Sequence, residues 1–179
     1  MNTKTNKTNG ITFTRPALVL QHANAKGTGC AIRLELHPAE VDEDGYILMA
    51  LAPQKTVGNM TGGKRVGATF DWENRIEERL GFRDISQIMQ VFRGECESLA
   101  YDRGLYFTGA QGPTRVQLRH LVDPVSGYSL EVYRTPADGG DERRAHFLMD
   151  PAEALGLCET FAQSLMLVAL GVPRLVTIA

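Results

Sequence analysis

The sequence lacks the features that mark membrane-spanning and secreted proteins. Its longest uninterrupted apolar runs cover only residues 46–52 and 165–170, whereas a helix that spans a bilayer needs roughly 18 such residues. It has only three cysteines, at positions 30, 96 and 158, and an odd number of distant cysteines does not form a disulfide scaffold. No apolar segment near the N-terminus is typical of a secretory signal. We therefore expect a soluble protein of a reducing compartment, without a membrane partner.

The chain also lacks a strong excess of charge of either sign. Its 19 Lys and Arg residues are set against 21 Asp and Glu, which gives a formal net charge of −2. The charges are nevertheless segregated, because residues 1–33 contain five basic residues and no acidic one. Such segregation can create a locally positive surface on a nearly neutral protein, although a solvated face of mixed charge has the same composition.

Patterns typical of catalysis and metal binding are missing as well. Residues 58–64 read Gly-Asn-Met-Thr-Gly-Gly-Lys and match the start of a phosphate-binding P-loop. The next residue of that motif should be Ser or Thr at the start of a helix, but here Arg65 begins a predicted strand. A hairpin loop with a basic end is the better interpretation. The cysteines and histidines lack the spacing of metal ligands. We expect no metal, no cofactor and no enzymatic activity.

What the sequence does contain is an internal repeat. Residues 45–53 and 127–136 both begin with Gly-Tyr and continue as apolar or alternating segments, 82 residues apart. Each of them follows a segment of alternating apolar and polar residues, at 30–37 and 115–122. This alternation predicts two pairs of β-strands.

Each copy of the repeat ends in a predicted amphipathic helix. The first covers residues 84–93, where apolar residues recur at helical spacing before a glycine. The second begins at Asp150, where Pro at the first helical position and Glu153 complete a capping box, and it ends at Gly171. Its last two turns are apolar on nearly every side, which predicts burial between layers or between subunits.

Further strands are predicted at 66–72, 75–80, 105–108 and 144–149. The order β-β-β-β-α, repeated twice, predicts an α+β fold with two antiparallel four-stranded sheets and helices on one side. Because neither sheet could cover its apolar face alone, we expect one domain.

Basic and aromatic residues are interleaved on the predicted strands. They are Lys64, Arg65, Phe70, Trp72 and Arg75 in the first half, and Arg115, Arg119, Tyr133, Arg143 and Arg144 in the second. Cations that meet phosphates and rings that stack on bases are what binding to single-stranded nucleic acid requires. Phe70 and Trp72 share a face with other apolar residues, so we expect at least one of them in the core.

Residues 70–75 read Phe-Asp-Trp-Glu-Asn-Arg. They resemble the Tyr-Asp-Trp-Glu-Lys-Arg signature of the Whirly family of single-stranded DNA-binding proteins of plant organelles. Residues 26–32 read Lys-Gly-Thr-Gly-Cys-Ala-Ile and are similar to its Lys-Gly-Lys-Ala-Ala-Leu segment. The Asp-Pro-Ala-Glu start of the second helix resembles the Ala-Ala-Glu start of the family's last helix. The resemblance extends from residue 26 to residue 171, which we take as the domain, with an arm at 1–25 and a tail at 172–179.

The resemblance implies two sheets packed crosswise, four subunits around a fourfold axis, and DNA along sheet edges with bases in apolar clefts. It implies that Lys26 contacts the DNA backbone, and that Trp72, Asn74 and Arg75 lie at the cleft or support it. Thr28 and Asn74 stand where the family has lysine, so positive charge is lost at both positions. To these site residues we add Lys64, Arg65, Arg115, Arg119 and Tyr133 for their charge or ring.

We therefore expect a homotetramer that binds single-stranded DNA with little sequence specificity and acts in repair, recombination or transcription. Two alternatives stay open: a structural or protein-interaction oligomer on the same scaffold, and an RNA-binding or annealing protein. The first 28 residues contain one Arg and no Ser, which does not fit a transit peptide. We expect a cytoplasmic, nucleoid-associated protein.

Overall fold

Two antiparallel sheets and two helices make up most of the chain, in the predicted order. The computed structural model describes residues 7–8, 11–12, 15–122 and 126–172. The strands are β1 (Lys7–Thr8), β2 (Ile11–Thr12), β3 (Leu18–His22), β4 (Cys30–His37), β5 (Tyr46–Thr56), β6 (Asn59–Thr61), β7 (Lys64–Val66), β8 (Thr69–Phe70), β9 (Ile76–Leu80), β10 (Leu105–Phe107), β11 (Thr114–Leu121), β12 (Gly127–Arg134) and β13 (Arg143–Met149). The helices are α1 (Phe82–Phe92) and α2 (Pro151–Leu170). The predicted α+β class is confirmed.

Sheet 1 is formed by the first half of the chain. Its order is β3-β4-β5, and the long strand β5 pairs with β9 along its first part and with β8 near its end. The pairing shifts register between Gln54 and Thr56. The predicted strand at 66–72 is therefore wrong in extent, because Gly67 and Ala68 separate β7 from β8. Strands β6 and β7 form a small hairpin with Gly62 and Gly63 at its tip. Residues 58–64 are therefore a hairpin loop, as predicted, and not a P-loop.

Strand β3 was not predicted from the sequence. It pairs with β4 in antiparallel register, from Leu18 opposite Leu34 to His22 opposite Cys30. Sheet 1 thus begins inside the segment assigned to the N-terminal arm, before the predicted boundary at residue 26. Most of the predicted tail, 173–179, lies outside the described residues.

Sheet 2 follows chain order, β10-β11-β12-β13, and all three pairings are antiparallel. The apolar positions of both sheets face each other and the helices, and they form one buried cluster. Its members from the strands include Ile32, Leu34, Met49, Leu51, Val116, Leu118, Leu130, Val132 and Phe147. The opposite face of sheet 2 carries the polar alternates, whereas the opposite face of sheet 1 is partly covered by a second buried cluster.

A buried arginine joins the two sheets. The side chain of Arg134, at the end of β12, donates to the Glu78 carboxylate at 2.7 Å and to the Glu77 carbonyl at 2.5 Å, both on β9. It also donates to Thr114 Oγ1 at 2.9 Å and to Gln111 Oε1 at 2.6 Å. Only 4% of Arg134 is exposed, so these contacts fix how the edge of sheet 1 meets the end of sheet 2.

Both helices begin where side chains cap them. Helix α1 begins two residues earlier than predicted, because Asp84 acts from the third helical position, where its carboxylate accepts from the Gly81 N–H at 3.0 Å. The predicted cap of α2 is confirmed: Asp150 Oδ1 accepts from the Glu153 N–H at 2.8 Å. Gly171, at φ 71°, ends α2, in a backbone region that costs glycine little.

Three large apolar side chains on the outer side of α2 are exposed in the single chain, among polar residues such as Glu159 and Gln163. Leu155, Met166 and Leu170 are all exposed, the last to 80%. The predicted burial of α2 between layers therefore holds for only one side of the helix. Within the described part of the chain, α2 is also the one helix long and apolar enough to cross a membrane by length and composition, a test that core helices of globular proteins pass as well.

Candidate nucleic-acid interface

Four side chains form a row across the open face of sheet 2. Tyr106 on β10 pairs with Arg115 on β11, Arg115 pairs with Tyr133 on β12, and Tyr133 pairs with Arg144 on β13. These positions are out of phase with the buried residues of the same strands, so all four lie on the face away from the core. We call this set the Tyr–Arg row.

The members of the Tyr–Arg row contact one another. The guanidinium carbon of Arg115 lies 4.9 Å from the centre of the Tyr133 ring, and that of Arg144 lies 5.3 Å from it. A cation near a ring face is attracted by the electrons of the ring. A hydrogen bond with the Tyr106 side chain raises the pKa of Arg115. Tyr106 is 66% exposed and Arg144 is also exposed, so the row presents a ring and a cation to solvent.

A carboxylate on the same face, beside the row, holds two of its members. The Tyr133 hydroxyl donates to Glu131 Oε2, and Arg144 Nη2 lies 3.0 Å from Glu131 Oε1. Burial by itself would raise the pKa of Glu131, but the hydrogen bond from Tyr133 and the charge of Arg144 lower it. Burial and the bond to Glu131 both raise the pKa of Tyr133. Glu131 therefore stays charged, Tyr133 stays protonated, and the ring is fixed between its two arginines.

The Phe-Asp-Trp-Glu-Asn-Arg segment of residues 70–75 lies elsewhere, at the edge of sheet 1. Phe70 and Trp72 are each only 3% exposed, and they form a small cluster with Ala31, Ala50 and Ala52 on the face of sheet 1 away from the main core. The expectation that one of the two rings is a core residue holds for both. Because the Trp72 ring has almost no accessible area, it can support a neighbouring cleft from beneath but offers no surface for stacking in the single chain.

Asn74 and Arg75 are engaged in contacts within the chain. Asn74 Nδ2 donates to Asp71 Oδ2 at 2.8 Å, a bond that lowers the pKa of Asp71. Asn74 Oδ1 accepts from Arg143 Nη2 at 3.0 Å, which connects this segment to sheet 2. Arg75 donates to the Trp72 carbonyl at 2.9 Å and to Glu77 Oε2 at 2.6 Å. Both residues therefore shape the edge of sheet 1.

The cleft next to this segment has mixed charge. It has a volume of about 480 Å³, and its basic lining residues are Arg75, Arg134 and Arg143. Its acidic lining residues are Glu73, Glu77, Asp138 and Asp141. The acids offset the arginines, so this cleft has no excess of positive charge. The arginines of the Tyr–Arg row are better placed than this cleft to bind a phosphate backbone.

Another cleft, of about 530 Å³, is lined by residues 23–25, 57–60 and 66–68, and neither Lys26 nor Lys64 is one of its lining residues. Lys26 is exposed in a loop held by Asn24, whose Oδ1 accepts from the Lys26 N–H at 3.0 Å. Lys64 is exposed on β7, and Arg65 follows it on the same strand, opposite Met60. The lining of this cleft includes three exposed apolar side chains, Val57, Met60 and Val66. Lys26 and Lys64 are thus exposed on chain segments next to an apolar cleft, whereas Arg75 lines the mixed-charge cleft at the edge of sheet 1.

Solved structures of similar fold are known, although no protein-family model and no curated protein matches this chain. WHY1 from Arabidopsis thaliana has 16% sequence identity and a TM-score of 0.64, with 86% of each chain covered. The plant transcriptional regulator PBF-2 has 14% identity and a TM-score of 0.62, over 86% of this chain and 89% of that one. A guide-RNA-binding protein complex bound to a guide RNA has 17% identity and a TM-score of 0.58, over 84% and 90%.

The chain has a Whirly-type fold. At these identities the likeness concerns the fold alone, and it confirms the fold expected from residues 26–32, 70–75 and 150–153. In this Whirly-type fold, the site residues predicted in the second half of the chain lie in two different places. Arg115 and Tyr133 belong to the Tyr–Arg row, whereas Arg119 lies further along β11, 3.1 Å from Asp102 Oδ1.

Sequence reasoning missed Tyr106 as a site residue and did not place Arg144 beside Tyr133. Only the strand register brings them together, and register depends on turns whose geometry the sequence did not specify. The alternation of apolar and polar residues in β10 and β13 was the one signal in the sequence that could have placed Tyr106 and Arg144 on this face.

In 15–122 and 126–172 there is no group of three His, Cys, Asp or Glu residues that could hold a metal. Cys30 is buried, and burial raises the pKa of its thiol to about 12.

Proposed function

We propose that this protein binds single-stranded nucleic acid, in the first place single-stranded DNA, with little sequence specificity. The observation that carries the proposal is the Tyr–Arg row on the open face of sheet 2. Neighbouring strands are about 4.8 Å apart, so rings and cations alternate at that interval. Stacking of a base on an aromatic ring contributes roughly 1–3 kcal/mol and accepts every base. Arginines beside the rings meet the phosphates.

The fold comparison adds support from a second direction. Among proteins of this fold, PBF-2 is a transcriptional regulator and another complex binds a guide RNA. We propose that the chain acts as a binding protein rather than an enzyme, in the cytoplasm at the nucleoid, during repair, recombination or transcription. RNA is the second candidate ligand, and it is favoured by the likeness to the guide-RNA-binding complex. Competition between ribo- and deoxyribo-oligonucleotides distinguishes RNA from DNA as the ligand, because a site that contacts the 2′-hydroxyl prefers the ribo-oligonucleotide.

Replacing Arg115 and Arg144 together by Gln should weaken binding to an oligothymidylate by roughly 10- to 100-fold, because two phosphate contacts and the cations flanking Tyr133 are lost. Fluorescence anisotropy against salt is the measurement. The slope of log affinity against log salt should fall by about 1.4 in magnitude, or about 0.7 for each phosphate contact. The unaltered protein should prefer the single strand to duplex DNA.

The matched control removes the same charge from elsewhere. Arg83 and Arg93 are exposed near the two ends of α1, and their joint replacement by Gln should leave affinity within about twofold, the ordinary effect of net charge far from a site. Equal loss in both double variants would mean that general charge, and not the Tyr–Arg row, binds the strand. No binding by the unaltered protein would favour the protein-interaction oligomer, with which the mixed charge of the cleft and the net charge of −2 agree.

We also propose that the chain assembles as a homotetramer through the exposed side of α2. Leu155, Met166 and Leu170 leave large apolar side chains in water on one side of α2, and exposed apolar side chains in such a group mark interaction sites. Light scattering should give four times the chain mass of 19.7 kDa. Met166→Lys with Leu170→Lys should reduce this mass severalfold, because charges would be buried at the contact. Val122→Lys, at a residue equally exposed but outside α2, should not. A monomeric unaltered protein would contradict the assembly.

A further inference from the structure

Three consecutive residues in the connection between α1 and β10 have a left-handed backbone. Ala100, Tyr101 and Asp102 have φ values of 47°, 53° and 67°. Among the described residues, they are the only ones other than glycine with positive φ. This conformation is unfavourable for residues with a side chain, and runs of it are rare. We call these three residues the left-handed turn.

Specific contacts hold the left-handed turn against the open face of sheet 2. The Asp102 N–H donates to Ser98 Oγ at 3.0 Å, and Gln117 Nε2 donates to the Asp102 carbonyl at 3.0 Å. Arg119 Nε lies 3.1 Å from Asp102 Oδ1. Gln117 and Arg119 are on β11 in the same phase as Arg115, so the left-handed turn lies over the face that carries the Tyr–Arg row.

The left-handed turn does not bury its aromatic residue. Tyr101 is 89% exposed, which gives the fold no packing benefit from the ring. Strained backbone that persists without such a benefit is commonly found at functional sites. Beside the turn, Arg119 is an exposed cation whose surface pair with Asp102 is weak in water. A ring and a guanidinium are therefore displayed together, as they are in the Tyr–Arg row.

The geometry points to Tyr101 as a second stacking platform for the same single strand, with Arg119 beside it for a phosphate. This inference rests on the proposed function and adds the path of the ligand. Arg115 and Arg119 are four residues apart on one strand, about 13 Å, and the residue between them on this face is the uncharged Gln117. A nucleic-acid strand would run along β11 from Tyr106 and Arg115 to Arg119 and Tyr101, and the base at that end would stack on Tyr101.

The test uses the full chain and oligothymidylates of two lengths. Tyr101→Ala should lower affinity for an oligomer of about twelve nucleotides by roughly 5- to 100-fold, the effect of losing one stacked base. It should leave affinity for an oligomer of about four nucleotides unchanged, since that length can be held by the Tyr–Arg row alone. Tyr101→Phe keeps the ring and should restore binding. Phe82→Ala removes another exposed ring, 52% accessible, at the start of α1 and serves as the control.

A photo-crosslink gives a second and independent result. Oligothymidylate that carries 5-iodouracil at one end should crosslink to the peptide containing Tyr101, found by mass spectrometry. Unchanged affinity of Tyr101→Ala at both lengths, together with no crosslink to that peptide, would overturn the inference. If Arg115→Gln with Arg144→Gln still weakens binding in that case, the proposed function survives and only the path along β11 is wrong. If neither variant changes binding, both proposals fail.

Discussion

Replacing Arg134 by methionine should lower the free energy of unfolding by about 3–5 kcal/mol. Methionine fills much of the same space but donates no hydrogen bond. The change leaves the Glu78 carboxylate, whose side chain is only 17% exposed, without its counter-charge. It also leaves the Glu77 carbonyl and Thr114 Oγ1 without the donor they share. A buried charge that loses its partner accounts for most of the expected effect. Urea denaturation followed by circular dichroism measures it.

Two further variants separate this cause from a general loss of arginine. Arg134→Met combined with Glu78→Met removes both charges and should recover most of the loss, because an apolar pair in the same place has no unpaired charge. Arg119→Met removes an arginine whose ion pair with Asp102 is exposed to solvent, and it should cost less than about 1 kcal/mol. If Arg134→Met were no worse than Arg119→Met, the two sheets would not depend on this side chain.

Local signals predicted the elements of the fold well. The capping residues Asp150 and Glu153 fixed the start of α2, and two-residue alternation placed β4, β11 and β13 within one or two residues of their positions. These signals work because the atoms that cause them are neighbours in sequence. Strand β3 was missed because its side chains are mostly exposed or half-buried, and its alternation is accordingly weak.

The candidate site could be predicted only in part. Arg115 and Tyr133 stood out as a cation and a ring on alternating strands, but their contact with each other and with Tyr106 and Arg144 depends on register across four strands. Arg134 is in phase with the buried residues of β12, and a charged residue at such a position indicates a buried ion pair. Its partner, Glu78, lies on the other sheet, and no local pattern identifies a contact at that separation.

Replacing Trp72 by alanine should lower the free energy of unfolding by about 3–5 kcal/mol, as is typical of large rings removed from a core. Its ring is buried with Phe70 and three alanines on the outer face of sheet 1, and small residues leave a cavity that the sheet cannot close. Trp72→Phe should cost less, because much of the volume remains. Both variants should bind oligothymidylate as well as the unaltered protein does at temperatures where they are folded, because neither touches the Tyr–Arg row.

Intrinsic fluorescence tests the same assignment without a substitution. Trp72 is the only tryptophan in the chain, so all tryptophan emission reports on this one site. A ring that is 3% exposed should emit at short wavelength and resist quenching by iodide, and its intensity should change little when saturating oligothymidylate is added. Strong quenching by the oligomer would instead place a base against the ring. In that case Trp72 would leave its cluster on binding, and the segment of residues 70–75 would contact the strand directly. A constant signal, together with loss of binding on changing Arg115 and Arg144, locates the strand on sheet 2.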